Sequence, residues 1–238
     1  QALYTATTVG SNTAVGYQAL KLNAVASNTA VGHSAGLNTT GTLNTYVGAS
    51  AGLGASGAEA SNVGVGANAL AAIVGGSSNT ALGKDSSAAM TDGHNNVAIG
   101  NNSLEASTSV GYAVVIGNDA MVNGNATAAA DGTVAIGASS LAALITGVGN
   151  TAVGYLSLST EDGSGGNTAV GYRTLKDQNG SGVYAYNTAM GFEAGLDITF
   201  GLQNVMIGAY ALGDATEEVD DNVAIGYSAM GGAIGTEA

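Results

Sequence analysis

Hydrophobic and polar positions along this chain follow one short unit that returns throughout: Asn, then Thr or Val, then Ala, then Val or Ile, then Gly. Asn12-Thr13-Ala14-Val15-Gly16 is its first full copy. The closing glycine falls at Gly16, Gly32, Gly48, Gly66, Gly83, Gly100, Gly117, Gly137, Gly154, Gly171, Gly191, Gly208 and Gly226, at intervals of 16 to 20 residues. Such spacing suits one coil of a β-solenoid and is too short for a repeat of paired helices. Within each unit the β-branched residues alternate with Ala, which predicts a short strand carrying Thr/Val and Val/Ile on one face and Ala on the other.

The predicted fold is all-β: a parallel β-solenoid of about 13 short coils, forming a single repeat domain over residues 1–238. At about 4.8 Å per coil it is roughly 60 Å long. Residues 1–11 read as an N-terminal strand-like segment, from Tyr4 to Val9, and residues 227–238 as a Gly-rich end. The chain begins at Gln1 and shows no leader pattern, which reads as a processed chain or a segment of a longer one. Asn123-Gly124, Asn179-Gly180 and the run Gly163 to Gly166 mark turns between copies. The small residue three places after the glycine (Ala19, Ala69, Ser103, Ser157, Ala229) predicts a second short strand. The Thr/Val positions are expected to point into the core, leaving the Ala/Gly face for close approach of a neighbouring chain.

The opening asparagine recurs at Asn12, Asn28, Asn44, Asn62, Asn79, Asn96, Asn150, Asn167, Asn187, Asn204 and Asn222, with Ala113 and Thr133 in its place in two copies. Stacked parallel coils set identical side chains over one another, so an Asn ladder is expected at this corner.

Composition narrows the function classes. The chain has 39 Gly, no Pro, no Trp, no Cys and two Phe, while 45% of residues are hydrophobic, so its layers must be thin. Few large apolar groups per layer favour lateral packing of one chain on another. Net charge is -13 with four Lys and Arg in all, which argues against nucleic acid and anionic membranes as partners. No stretch is long and apolar enough for a membrane span.

The repeated Asn-Thr-Ala-Val-Gly-Tyr pattern, as at Asn12 to Tyr17, resembles the head repeats of trimeric autotransporter adhesins and similar repeats in phage tail-fibre-like proteins. The resemblance covers nearly the whole chain, although these coils are longer and less regular than the adhesin repeat. It implies a left-handed β-roll associated as a homotrimer, in an extracellular, cell-surface or virion-associated fibre.

Candidate chemistry is sparse. His33 and His94 lie in different repeats and read as surface histidines, no cysteine nucleophile exists, and neither a catalytic set nor a cofactor is expected. Gly147 to Ala152 matches the letters of a dinucleotide fingerprint but overlaps a repeat and opens no helix. Asp214, Glu217, Glu218, Asp220 and Asp221 are weak candidates for calcium, the simpler reading being a solvated loop. Tyr155, Tyr172 and Phe192 follow the glycine in three successive coils, as do Tyr17 and Tyr227 elsewhere, and predict an aromatic stripe for structural stacking or for a sugar. A threonine array suited to ice is set aside because Val shares its position. The expected function is that of a structural rod presenting a receptor-binding tip, its partners being itself and a receptor or glycan. A head-to-tail filament, and an ice or glycan binder, are the alternatives.

Overall fold

The computed structural model describes residues 2–3, 10–22, 25–54, 57, 59–123, 125–180, 184–214 and 219–231. Thirteen three-residue strands run in chain order: β1 Thr13–Val15, β2 Thr29–Val31, β3 Thr45–Val47, β4 Val63–Val65, β5 Thr80–Leu82, β6 Val97–Ile99, β7 Val114–Ile116, β8 Val134–Ile136, β9 Thr151–Val153, β10 Thr168–Val170, β11 Thr188–Met190, β12 Val205–Ile207 and β13 Val223–Ile225. Each pairs in parallel with the next, making one 13-stranded sheet whose order is the chain order. Thr151 lies beside Thr168, Ala152 beside Ala169 and Val153 beside Val170, so every motif position forms its own column. The chain is therefore an all-β parallel solenoid. Its single described helix is one 3-10 turn, Ala128–Ala130.

The strand faces are the reverse of the sequence expectation. In most coils the central residue is the buried one, and Ala30, Ala81, Ala98, Ala152 and Ala169 have no exposed surface. The flanking Thr/Val and Val/Ile residues point away from the core and are half-buried or exposed. Width inside the coil is the reason. A Cβ placed on Gly64, the central residue of β4, would lie 3.6 Å from Leu70 Cδ1 on the opposite wall, so the interior holds Ala on one side and Leu on the other. Leu20, Leu70, Leu104, Leu141, Leu158, Leu175 and Leu212, all buried, supply that wall.

The second wall is not a strand. After each motif glycine the chain runs through turns, with positive φ at alternate residues, as at Leu156 (φ 55) and Leu158 (φ 50). This is costly for a side chain such as Leu. Inter-coil bonding holds it: Leu158 N donates to Thr174 O at 3.1 Å and Leu175 N to Ala194 O at 2.9 Å. The glycine itself is obligatory. Gly154 has φ +141, and a Cβ there would sit 2.1 Å from Gly171 O in the next coil. The predicted turn at Gly163 to Gly166 is irregular apart from an isolated parallel bridge of Gly165 to Tyr184, and Asn123 and Asn179-Gly180 fall in irregular chain. Gly124 lies outside the described residues, as do Tyr4 to Val9 and residues 232–238.

Candidate interaction face and its flanking ladders

Parallel stacking turns the outward strand residues into a surface two columns wide. One column is Thr or Val: Thr13, Thr29 and Thr45 at one end, Thr151, Thr168 and Thr188 nearer the other, and between them Val apart from Thr80. The second is apolar throughout, including Ile99, Ile116, Ile136, Val153 and Val170. With 13 strands at about 4.8 Å and a width of about 10 Å, the surface covers roughly 600 Å². β-branched side chains have few rotamers to lose when such a surface is covered. Ala152 and Ala169, expected on the outside, lie within the core instead.

Beside this face stand the asparagines. Their main bonds run to backbone rather than from side chain to side chain. Asn44 Oδ1 accepts from Asn62 N at 2.9 Å, Asn62 Oδ1 from Asn79 N at 3.0 Å and Asn79 Oδ1 from Asn96 N at 3.1 Å. Most Nδ2 groups reach a carbonyl further along, as from Asn62 to Gly76 O at 2.9 Å and from Asn187 to Gly201 O at 2.6 Å, while Asn222 Nδ2 turns back to Asp220 O and Asn167 Nδ2 finds no partner among the described residues. Direct amide bonds are added at Asn79 to Asn62, Asn96 to Asn79, Asn204 to Asn187 and Asn222 to Asn204. Asn12 opens the series by accepting from Asn28 N. Asn28 Oδ1 then accepts from Asn44 N, Asn150 Oδ1 from Asn167 N, and Asn167 Oδ1 from Asn187 N. At Ala113 the backbone N–H still reaches Asn96 Oδ1, at 2.9 Å, but Ala113 has no side-chain acceptor to pass on, and Thr133 turns its hydroxyl to Ala130 O.

The aromatic residues lie along the other edge. Tyr155 stacks on Tyr172 with centroids 5.5 Å apart and planes 23° from parallel, and Tyr172 stacks on Phe192 at 4.9 Å and 10°. The row continues edge-on through Tyr210 to Tyr227, two further coils. Tyr210 is displaced by one residue from the motif position, which hid it from sequence spacing. At such separations stacked rings cover one another's faces and turn their edges to solvent, a poor platform for the face of a sugar ring. Arg173 lies 6.0 Å from the Tyr172 centroid and pairs with Glu193 at 2.6 Å. The histidines join aromatic pairs as well: His33 stacks on Tyr17 at 5.2 Å and His94 meets Tyr112 edge-on at 5.1 Å.

Of the acidic candidates, Glu217 and Glu218 lie outside the described residues. Asp220 accepts Leu202 N at 2.8 Å and Asp221 is exposed. Asp214 stands with Asp177 and Asp197 instead, the same position in three successive coils. Burial first, and then these two neighbouring carboxylates, push the Asp197 carboxyl above its ordinary range. Among the described residues no group of three His, Cys, Asp or Glu could hold a metal ion, and no helix is long and apolar enough to cross a membrane.

Two buried carboxylates carry no sequence signal. Glu161 has no exposed surface and accepts from Gly163 N at 2.9 Å, Ser164 N at 2.6 Å and the Ser164 hydroxyl, organising the turn beside it. Burial still holds its carboxyl above the ordinary range. Glu59 is the second, its Oε1 accepting from Thr40 N and Gly41 N. Comparison of the chain with protein-family models, with curated proteins and with solved structures finds no match.

Proposed function

We propose that this chain is a structural rod whose outward Thr/Val and Val/Ile face packs against copies of itself, in a fibre of the extracellular, cell-surface or virion type. One observation carries the reading: an uninterrupted 13-stranded parallel sheet turns its β-branched side chains outward and its alanines inward. A monomer leaves that apolar column in water. A face of roughly 600 Å² approaches the area each partner contributes to a stable protein interface. The resemblance to adhesin heads and tail-fibre repeats agrees with three copies meeting on such a face. Negative-stain microscopy of the intact chain tests the reading. It should show rods at least about 60 Å long and thicker than one solenoid. Single thin coils at micromolar concentration would count against it.

A second reading rests on the same outward column. Thr151, Thr168 and Thr188 present methyl and hydroxyl groups at one-strand spacing, a regular array suited to ordering water or ice. Val takes this position in six of the thirteen strands, but the column faces outward and not into the core. A monomer with thermal hysteresis would favour that reading, and an oligomer without it would favour the rod.

A further inference from the structure

Two consecutive asparagine links are missing near the middle of the rod. On one side the ladder runs from Asn12 to Asn96, whose Oδ1 accepts the Ala113 N–H at 2.9 Å. On the other it restarts at Asn150, whose Oδ1 accepts from Asn167 N at 2.9 Å, and continues to Asn222. Between them the coil of β7 carries Ala113, which has no amide. The coil of β8 carries Thr133, whose hydroxyl donates to Ala130 O in that same coil at 2.8 Å. Elsewhere one asparagine fastens the next coil at two places, as Asn96 does through Ala113 N and through Val110 O at 2.7 Å. Among the described residues, no such pair of bonds leaves Ala113 or Thr133.

Packing changes at the same place. The step from Gly117 to Gly137 is 20 residues, against 17 from Gly66 to Gly83, from Gly83 to Gly100 and from Gly100 to Gly117. The added length forms the 3-10 turn Ala128–Ala130, with Thr127 Oγ1 accepting from Ala129 N at 3.4 Å. Ala129 borders an open cleft of about 220 Å³ that Thr146, Gly147 and Val148 of the following coil also line. The strand ladder itself is intact, β8 pairing in register with β7 and β9. Asp131 adds one bond on the β7 side, its Oδ1 accepting from Gly111 N at 2.7 Å.

Each coil of a solenoid contacts only its neighbours, so cooperativity passes from coil to coil and breaks at the weakest junction. A uniform stack frays at its ends and is firmest in its middle. We infer that this rod consists of two cooperative blocks, coils one to seven and coils nine to thirteen, joined at a seam on coil eight that opens before either block unfolds. The seam is independent of how the rod functions.

Native-state hydrogen exchange of the intact chain, resolved at single amides and corrected for intrinsic rates, tests this. Val114 N and Val134 N bond Thr133 O and Asn150 O across the seam, as Thr80 N bonds Asn96 O and Thr168 N bonds Asn187 O within the blocks. The two seam amides should exchange about 10–100-fold faster than Thr80 and Thr168, although they lie nearer the middle. Protection that peaks at β7 and β8 and falls evenly toward both ends would overturn the inference. Ala113→Asn/Thr133→Asn, which completes the ladder at positions where other coils bury an asparagine, should remove the dip. A dip left unchanged in the folded double variant would overturn it as well. Should that variant fail to fold, the profile of the unaltered chain decides alone.

Discussion

Asn96 stands on Asn79: its backbone N–H and its side-chain amide both donate to the Asn79 Oδ1, at 3.1 and 3.0 Å, one full coil apart. The asparagine thus joins coils through a backbone group that the strand ladder does not use. The Nδ2 of Asn79 meanwhile closes the corner by reaching Gly93 O at 2.7 Å.

Replacing Asn79 with Ala therefore strips partners from Asn96 N and Gly93 O, both inside the coil. The expected loss is about 2–4 kcal/mol, from two buried groups left unpaired. Hydrogen exchange should show it as faster exchange at Asn96 and in the adjoining coils. Asn222→Ala, at a partly solvated copy with no described asparagine beyond it, should cost about 1 kcal/mol or less.

Core size is compensated across one coil, between Tyr46 and Gly52, and a double variant should reveal the coupling. Tyr46→Ala alone opens a cavity and is expected to cost about 3–5 kcal/mol. Gly52→Leu alone collides with the Tyr46 ring and should cost at least about 1–3 kcal/mol. Together they restore the common Ala/Leu coil, so the double variant should be more stable than the sum of the singles by about 1–3 kcal/mol in chemical denaturation. Leu70 already holds φ 54 at the equivalent position, against φ 55 at Gly52, so the backbone accepts the change. A purely additive outcome would refute the compensation.

The existence, length and register of the coils were legible in the sequence, because the strand residues and the glycine that the next coil presses on, such as Gly154, repeat without slippage. Which strand face lies inside was not. Alternation says that Thr151 and Val153 share a side, and elsewhere apolar β-branched residues mark the core side, but here the coil interior is only wide enough for Ala152 opposite a leucine. The irregular second wall is not legible in the sequence, because Leu156 and Leu158 at positive φ defy local preference and are held by the neighbouring coil. Asparagine stacking was readable from recurrence. Its bonding to backbone was not, since sequence carries no direction for the amide. Tyr46, Glu59 and Glu161 break the pattern singly, and spacing gives no signal for a single departure.

Glu161 should leave a mark on the pH dependence of stability. Its folded pKa is raised above the unfolded value, so the folded chain binds more protons between the two. The contribution is fully favourable below the unfolded pKa, about 4.5, and is lost as pH rises through the folded value. Glu161→Gln should remove that decline while weakening the turn at Gly163 and Ser164. Denaturation midpoints of both proteins from pH 4 upward check this, and parallel curves would exclude the carboxyl as the source.

The aromatic row is expected to act as structure. Tyr172→Ala removes contacts to both Tyr155 and Phe192 and should cost about 1–3 kcal/mol, at about 0.5–1.5 per ring pair. Binding to immobilised glycans should be unaffected by this change. Loss of glycan capture with stability intact would assign the row to recognition instead.

The central claim is that the outward β-branched face joins copies of this chain, and the most direct measurement is the solution mass of the intact protein by light scattering. It should give a multiple of 22.8 kDa, three copies on the tail-fibre and adhesin resemblance. Ile116→Lys/Ile136→Lys, placing two charges on that face and none in the core, should return the mass to a single chain with the β-rich circular dichroism retained. A monomeric parent, or an oligomer indifferent to those two lysines, would contradict the account.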